Sequence, residues 1–182
     1  MNKLTLYELN IYNGMIPDVN NKALAKICLN SYTKNKRMSK DSSDTRSEDL
    51  FIGVVEDYPE LQKVVNYITD DFKKTFNKKI KMVNHWCQVH DKNESTILHD
   101  HVDYIDLKNS PQFSAVYYVK TPKDSGNLVL HYPINKYNEY FRKVITPKES
   151  YFILFPSTLD HFVTKNNSIE KRIAISFNFN YA

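Results

Sequence analysis

The segment Leu98-His99-Asp100-His101-Val102-Asp103 gathers several metal-ligating side chains into six residues. On an extended strand, side chains two apart share a face, so His99, His101 and Asp103 project together. A His-x-Asp pair placed this way gives one ion two adjacent ligands. A distant histidine then completes a facial triad and leaves three coordination positions open. His161 is the best third ligand: it lies far along the chain, just after the apolar run Tyr151–Phe155. His101, Asp103 and His161 are therefore the expected metal set. Two imidazoles and a carboxylate suit iron(II) working with O2, because the open positions accept a bidentate co-substrate and oxygen.

A cationic side chain is expected at the other end of such a site. Arg172 opens the run Arg172-Ile173-Ala174-Ile175-Ser176-Phe177-Asn178. On a strand, Arg172, Ala174, Ser176 and Asn178 face one way. A buried arginine grips a carboxylate through two parallel charge-assisted bonds. Ala174 leaves room beside it, and Ser176 offers a hydroxyl. Arg172 and Ser176 can thus hold the distal carboxylate of 2-oxoglutarate while its keto-acid end chelates the metal.

These residues must be carried by a scaffold. The spacing predicts a helix over Asn20–Tyr32, capped by Asn20 or Asn21, with Leu24, Ile27 and Cys28 on one face. Thr33–Asp49 is almost free of apolar residues and reads as a loop, a candidate lid over substrate. A second helix starts near Asp57 with Pro59 in its first turn; Leu61, Val64, Val65, Ile68 and Phe72 form its buried stripe. From Lys79 onward short β-rich runs follow one another: Ile80–Val89, Thr96–Asp103, Gln112–Val119, Asn127–Tyr132, Phe141–Thr146, Ser150–Phe155, His161–Thr164 and Arg172–Phe179. Such a series suits a two-sheet sandwich or jelly roll. The expected fold is mainly β with flanking helices, a single domain over 1–182. Its helical part covers about 1–78 and its double-stranded β-helix about 79–182.

The bulk numbers narrow the function classes. The chain has 182 residues, a net charge of +4 and two cysteines, Cys28 and Cys87, too far apart for a CxxC pair. Both read as small buried apolar groups. The densest basic stretch, Lys34–Lys40, runs straight into acidic residues, so a nucleic-acid partner is not expected. No apolar run approaches the length of a membrane span. The first residues lack a secretory signal, which makes a cytoplasmic location the expectation.

In order along the chain, His101-Val102-Asp103, Phe113-Ser114-Ala115-Val116-Tyr117-Tyr118-Val119, Leu154-Phe155-Pro156-Ser157 before His161, and Arg172-Ile173-Ala174-Ile175-Ser176-Phe177-Asn178 resemble the iron(II)/2-oxoglutarate-dependent oxygenases. The likeness is to their prolyl-hydroxylase-like branch, and it spans roughly Val83 to Asn178. It implies iron on His101, Asp103 and His161, and 2-oxoglutarate on Arg172 and Ser176, with Tyr117 or Tyr118 as a further contact. Some short relatives read His-x-His at this point, which would make His99 and His101 the pair; periodicity does not choose between the two registers. The implied reaction consumes 2-oxoglutarate and O2, releases succinate and CO2, and oxidises a peptidyl or small-molecule substrate, with ascorbate as the reductant in an assay. Hydroxylation of a prolyl residue is one form it takes in the family. The alternative is a non-catalytic jelly-roll module that binds a metal or ligand; Arg172 separates the two readings.

Overall fold

The apolar stripe Leu61, Val64, Val65, Ile68 and Phe72 is buried along one side of helix α2 (Pro59–Phe76). Pro59 sits where a missing N–H costs nothing, and Asn77 ends the helix in the left-handed conformation, its N–H bonded to the Lys73 carbonyl. Helix α1 (Asn21–Lys36) is capped by Asn20, whose Oδ1 accepts the Ala23 N–H at 3.2 Å. It runs four residues past the expected end at Tyr32, so Thr33 belongs to a helix and not to a loop. The computed structural model describes residues 9–36, 52–133 and 140–182. Residues 37–49 of the candidate lid lie outside them.

Among the described residues nine strands complete the fold: β1 (Tyr12–Met15), β2 (Ile80–His90), β3 (Thr96–His99), β4 (Phe113–Lys120), β5 (Leu128–Pro133), β6 (Tyr140–Ile145), β7 (Tyr151–Pro156), β8 (Asp160–Val163) and β9 (Arg172–Tyr181). They form a five-stranded sheet, β1-β7-β4-β9-β2, and a four-stranded sheet, β3-β8-β5-β6, with every pairing antiparallel. Two such sheets face to face are a double-stranded β-helix, the jelly roll that the strand spacing predicts. The short β1 was not expected. It adds the N-terminal segment to the edge of the large sheet by pairing with β7.

Alternation along β9 divides the large sheet into two chemistries. Ile173, Ile175, Phe177 and Phe179 point outward and join one apolar cluster with Leu24, Leu61, Ile68 and Phe72 of the helices. Each such side chain, fully buried, contributes about 1.5–3 kcal/mol. Arg172, Ala174, Ser176 and Asn178 point the other way, into the space between the sheets. Cys28 and Cys87 are both buried in the outer cluster as free thiols. Their mutual contact and burial push the Cys28 thiol well above its ordinary pKa. No helix among the described residues is long and apolar enough to cross a membrane.

Candidate metal centre and co-substrate pocket

Strand β3 ends at His99, which pairs directly with His161 on β8. His101 lies just past the strand, anchored by its own N–H to the Ser157 carbonyl at 3.0 Å. The ligating atoms of His99, His101 and His161 all lie within 4.8 Å of one another.

Each ring is oriented through its other nitrogen. Nδ1–H of His99 donates to the Ile97 carbonyl at 2.8 Å, and that of His161 to the Leu159 carbonyl at 2.9 Å. Nδ1–H of His101 donates to Asn178 Oδ1 at 2.8 Å, with Ser114 Oγ also 2.7 Å away. Ser114 in turn bonds Asn178 Oδ1 at 2.9 Å and Ser157 Oγ at 2.8 Å, with both serines fully buried. Carbonyl oxygens only accept, so each neutral ring carries its proton on Nδ1 and a bare lone pair on Nε2. The Nε2 atoms of His99 and His101 stand 3.3 Å apart with no proton to share. Burial holds the His101 pKa down to about 4; burial and the neighbouring histidines hold His161 at about 3. Three imidazole nitrogens within 4.8 Å of one another form a donor set for a cation, and imidazoles suit iron among the first-row ions.

Asp103, expected as the partner of His101, lies outside this cluster of three. The strand that was to carry it stops at His99, where Asp100 Oδ1 accepts the Val102 N–H and turns the chain. Asp103 is exposed, and its Oδ1 caps the next turn by accepting the N–H groups of Ile105 and Asp106 at 2.9 and 3.0 Å. His99 stands beside His101 and His161 instead, as in the other of the two registers the sequence allowed. A cavity of about 540 Å³ opens over the cluster, with Asn84, Trp86, Asp100, Asp103 and Pro111 in its wall. Leu98, Tyr104, Ile105 and Leu107, on the segment that carries His99 and His101 and continues past them, are exposed.

Arg172 is 1% exposed, on the same face of β9 as Ala174, Ser176 and Asn178. Its Nη1 donates to His90 Nδ1 at 3.1 Å, which leaves the His90 proton on Nε2, facing Thr96 Oγ1 at 3.0 Å. Burial and then the Arg172 charge hold the His90 pKa down to about 3. The guanidinium also stands 5.4 Å over the Tyr118 ring. Arg172 Nε and the Tyr118 hydroxyl are both buried without a hydrogen-bond partner, and among the described residues no carboxylate pairs with the guanidinium. Burial pushes the Arg172 pKa down and the Tyr118 hydroxyl up to about 12, against the mutual attraction of the two groups. A buried cation with an unused N–H beside an unused hydroxyl is a cradle for an anion.

Tyr117 is not part of that cradle. It is the neighbour of Tyr118 on β4 and so points to the helix side, where its hydroxyl donates to Asn21 Oδ1 at 2.8 Å. Ser176 is buried on the interior face opposite Val116 and Trp86. His90 and Asn178 carry roles that the sequence reading did not assign, as the partners of Arg172 and His101. The signal available for them was the row of polar residues alternating along β9 and its pairing with β2.

Residues 84–178 match the family model described as "Putative 2OG-Fe(II) oxygenase". Among solved structures, a 2OG-Fe(II) oxygenase family oxidoreductase from Burkholderia pseudomallei is 17% identical with a TM-score of 0.54; the match covers 75% of this chain and 62% of that one. The non-haem α-ketoglutarate-dependent carbocyclase SnoK from nogalamycin biosynthesis is 14% identical, TM-score 0.69, with 94% and 80% covered. A prolyl hydroxylase from Trichoplax adhaerens, in complex with a hypoxia inducible factor peptide fragment, is 17% identical, TM-score 0.62, with 94% and 82% covered. These likenesses extend the jelly-roll fold to nearly the whole chain. No curated protein matches.

Proposed function

This chain belongs to the 2OG-Fe(II) oxygenase family, and we propose that it hydroxylates a peptidyl substrate using iron(II), 2-oxoglutarate and O2. In this reading His99, His101 and His161 hold the iron, and Arg172 with Tyr118 holds the distal carboxylate of 2-oxoglutarate. Bound there, the iron supplies the oxidising chemistry: 2-oxoglutarate is decarboxylated to succinate as O2 is reduced, and one oxygen atom enters a substrate C–H bond. The protein's share is positional. The Nδ1 bonds of the three histidines aim their lone pairs, Arg172 orients the co-substrate, and the jelly-roll walls keep bulk water from the Arg172 end.

One observation carries the reading. A guanidinium that is almost completely buried, with no carboxylate partner among the described residues, lies on the face of β9 whose Asn178 holds one of three convergent imidazoles. Leaving such a charge unpaired is costly unless a ligand completes it, and 2-oxoglutarate has a carboxylate for one end and a chelating keto acid for the other. The peptidyl substrate is supported by the open mouth over the histidines and by the exposed Leu98, Tyr104, Ile105 and Leu107 on the adjoining segment. The prolyl hydroxylase with its bound peptide is in keeping with it.

The first test is turnover of 2-oxoglutarate by the purified protein with iron(II) and ascorbate, read as succinate release. Slow uncoupled turnover is expected without substrate and faster turnover with a substrate peptide. Absence of both succinate and bound iron would overturn the reading. A proteome-wide screen for hydroxylated residues then identifies the substrate.

A further inference from the structure

Among the described residues four buried side-chain atoms lack a hydrogen-bond partner: Trp86 Nε1, Tyr118 Oη, Ser125 Oγ and Arg172 Nε. Tyr118 and Arg172 are accounted for by the anion cradle, and Ser125 lies in the turn before β5, in the wall of a different cavity. Trp86 remains. It sits on β2 opposite Ser176, on the interior face that also carries Gln88 and His90. Its indole packs edge-on against the His101 ring, with centroids 5.1 Å apart, and forms part of the wall of the cavity over the histidines.

We infer that the Trp86 indole N–H is a specificity-determining donor to the metal-proximal, keto-acid end of the co-substrate. The inference rests on the proposed function and adds a recognition group at the end opposite Arg172. An indole nitrogen donates only, so the group it lacks is an acceptor oxygen. Leaving that donor buried and unused is unfavourable, and a ligand oxygen beside His101 offsets it. The Nε1 atom is buried and its ring packs against His101, so the acceptor that suits it belongs to a molecule held at the histidines and not to a peptide at the open mouth. A carboxylate oxygen of a 2-oxo acid meets that requirement. Succinate, which has the distal carboxylate but no keto-acid end to chelate the metal, meets it poorly.

Trp86 is the chain's only tryptophan, so the wild-type protein reports on it directly. In the zinc-loaded protein, the single indole N–H resonance should move strongly downfield when 2-oxoglutarate is added and much less when succinate is added. By calorimetry, Trp86→Phe, which keeps the ring and removes the donor, should weaken 2-oxoglutarate binding about tenfold or more while succinate binding stays as in wild type. If 2-oxoglutarate binds the wild type yet the indole resonance stays put and Trp86→Phe binds equally well, the inference falls and the proposed function stands. If the wild type binds no 2-oxoglutarate, both fall.

Discussion

The two ends of the jelly-roll interior are built on opposite electrostatic plans. At the mouth, three imidazoles hold Nδ1 against acceptor oxygens and turn their Nε2 atoms toward one another. At the far end stands one guanidinium beside a neutral histidine and a tyrosine ring, with no carboxylate paired to it among the described residues. One end lacks a cation and the other an anion, so neither is complete alone. The difference shows how a protein with a small net charge prepares a site for a metal and a dianion together. It does so by withholding the partner at each end while satisfying the groups that orient the residues there.

Substitutions that strike one end and spare the other test this division. The largest effect is expected from His161→Ala or His99→Ala, each taking bound iron from stoichiometric to near none by metal analysis. Asp103→Ala should keep its iron; if instead Asp103→Ala loses iron while His99→Ala keeps it, the ligand set is wrong. Next, Arg172→Met should lower 2-oxoglutarate affinity about a hundredfold or more by calorimetry, from the loss of a buried charge-assisted pair, while iron content is unchanged. A smaller step separates the faces of β4. Tyr118→Phe should cost about tenfold in 2-oxoglutarate affinity; Tyr117→Phe should leave it untouched and remove only about 1 kcal/mol of stability with its bond to Asn21.

The mildest effect concerns protons. His90 and His161 have folded pKa values held down to about 3 and His101 to about 4, against an ordinary 6.5. A group whose folded pKa lies below its unfolded one leaves the unfolded chain holding more protons in between. Stability of the metal-free protein is thus fullest above about pH 6.5 and declines as the solution is acidified below it. Urea midpoints measured between pH 7 and 4.5 should fall steadily, and less so in His90→Gln. A flat profile would mean that these rings are not buried in their neutral form.

The same contrast governs what the sequence made legible. The five-residue stripe of α2 and the two-residue alternation of β9 are strong periodic signals, and both placed their side chains as expected. The end of β3 was not legible. It is set by the Asp100 side chain bonding its own backbone, a local competition that alternation does not encode. That one turn moved Asp103 out to the rim and left His99 in its place. Tyr117 and Tyr118 were ambiguous for another reason: both faces of β4 are buried from Ser114 to Val119, so apolar pattern gives no sense of inside and outside. The pairing of His90 with Arg172 depends on the register between β2 and β9, which appears only once the strands are joined.

The three histidines do not belong to one sheet. His99 and His161 ride on the four-stranded sheet, while His101 is tethered through Ser114 and Asn178 to the five-stranded one. An ion held by all three is therefore a clasp across the seam of the sandwich, and loading it should raise the melting temperature in proportion to its affinity. Parting the two layers then requires releasing the ion, so the act that arms the centre also locks its housing shut.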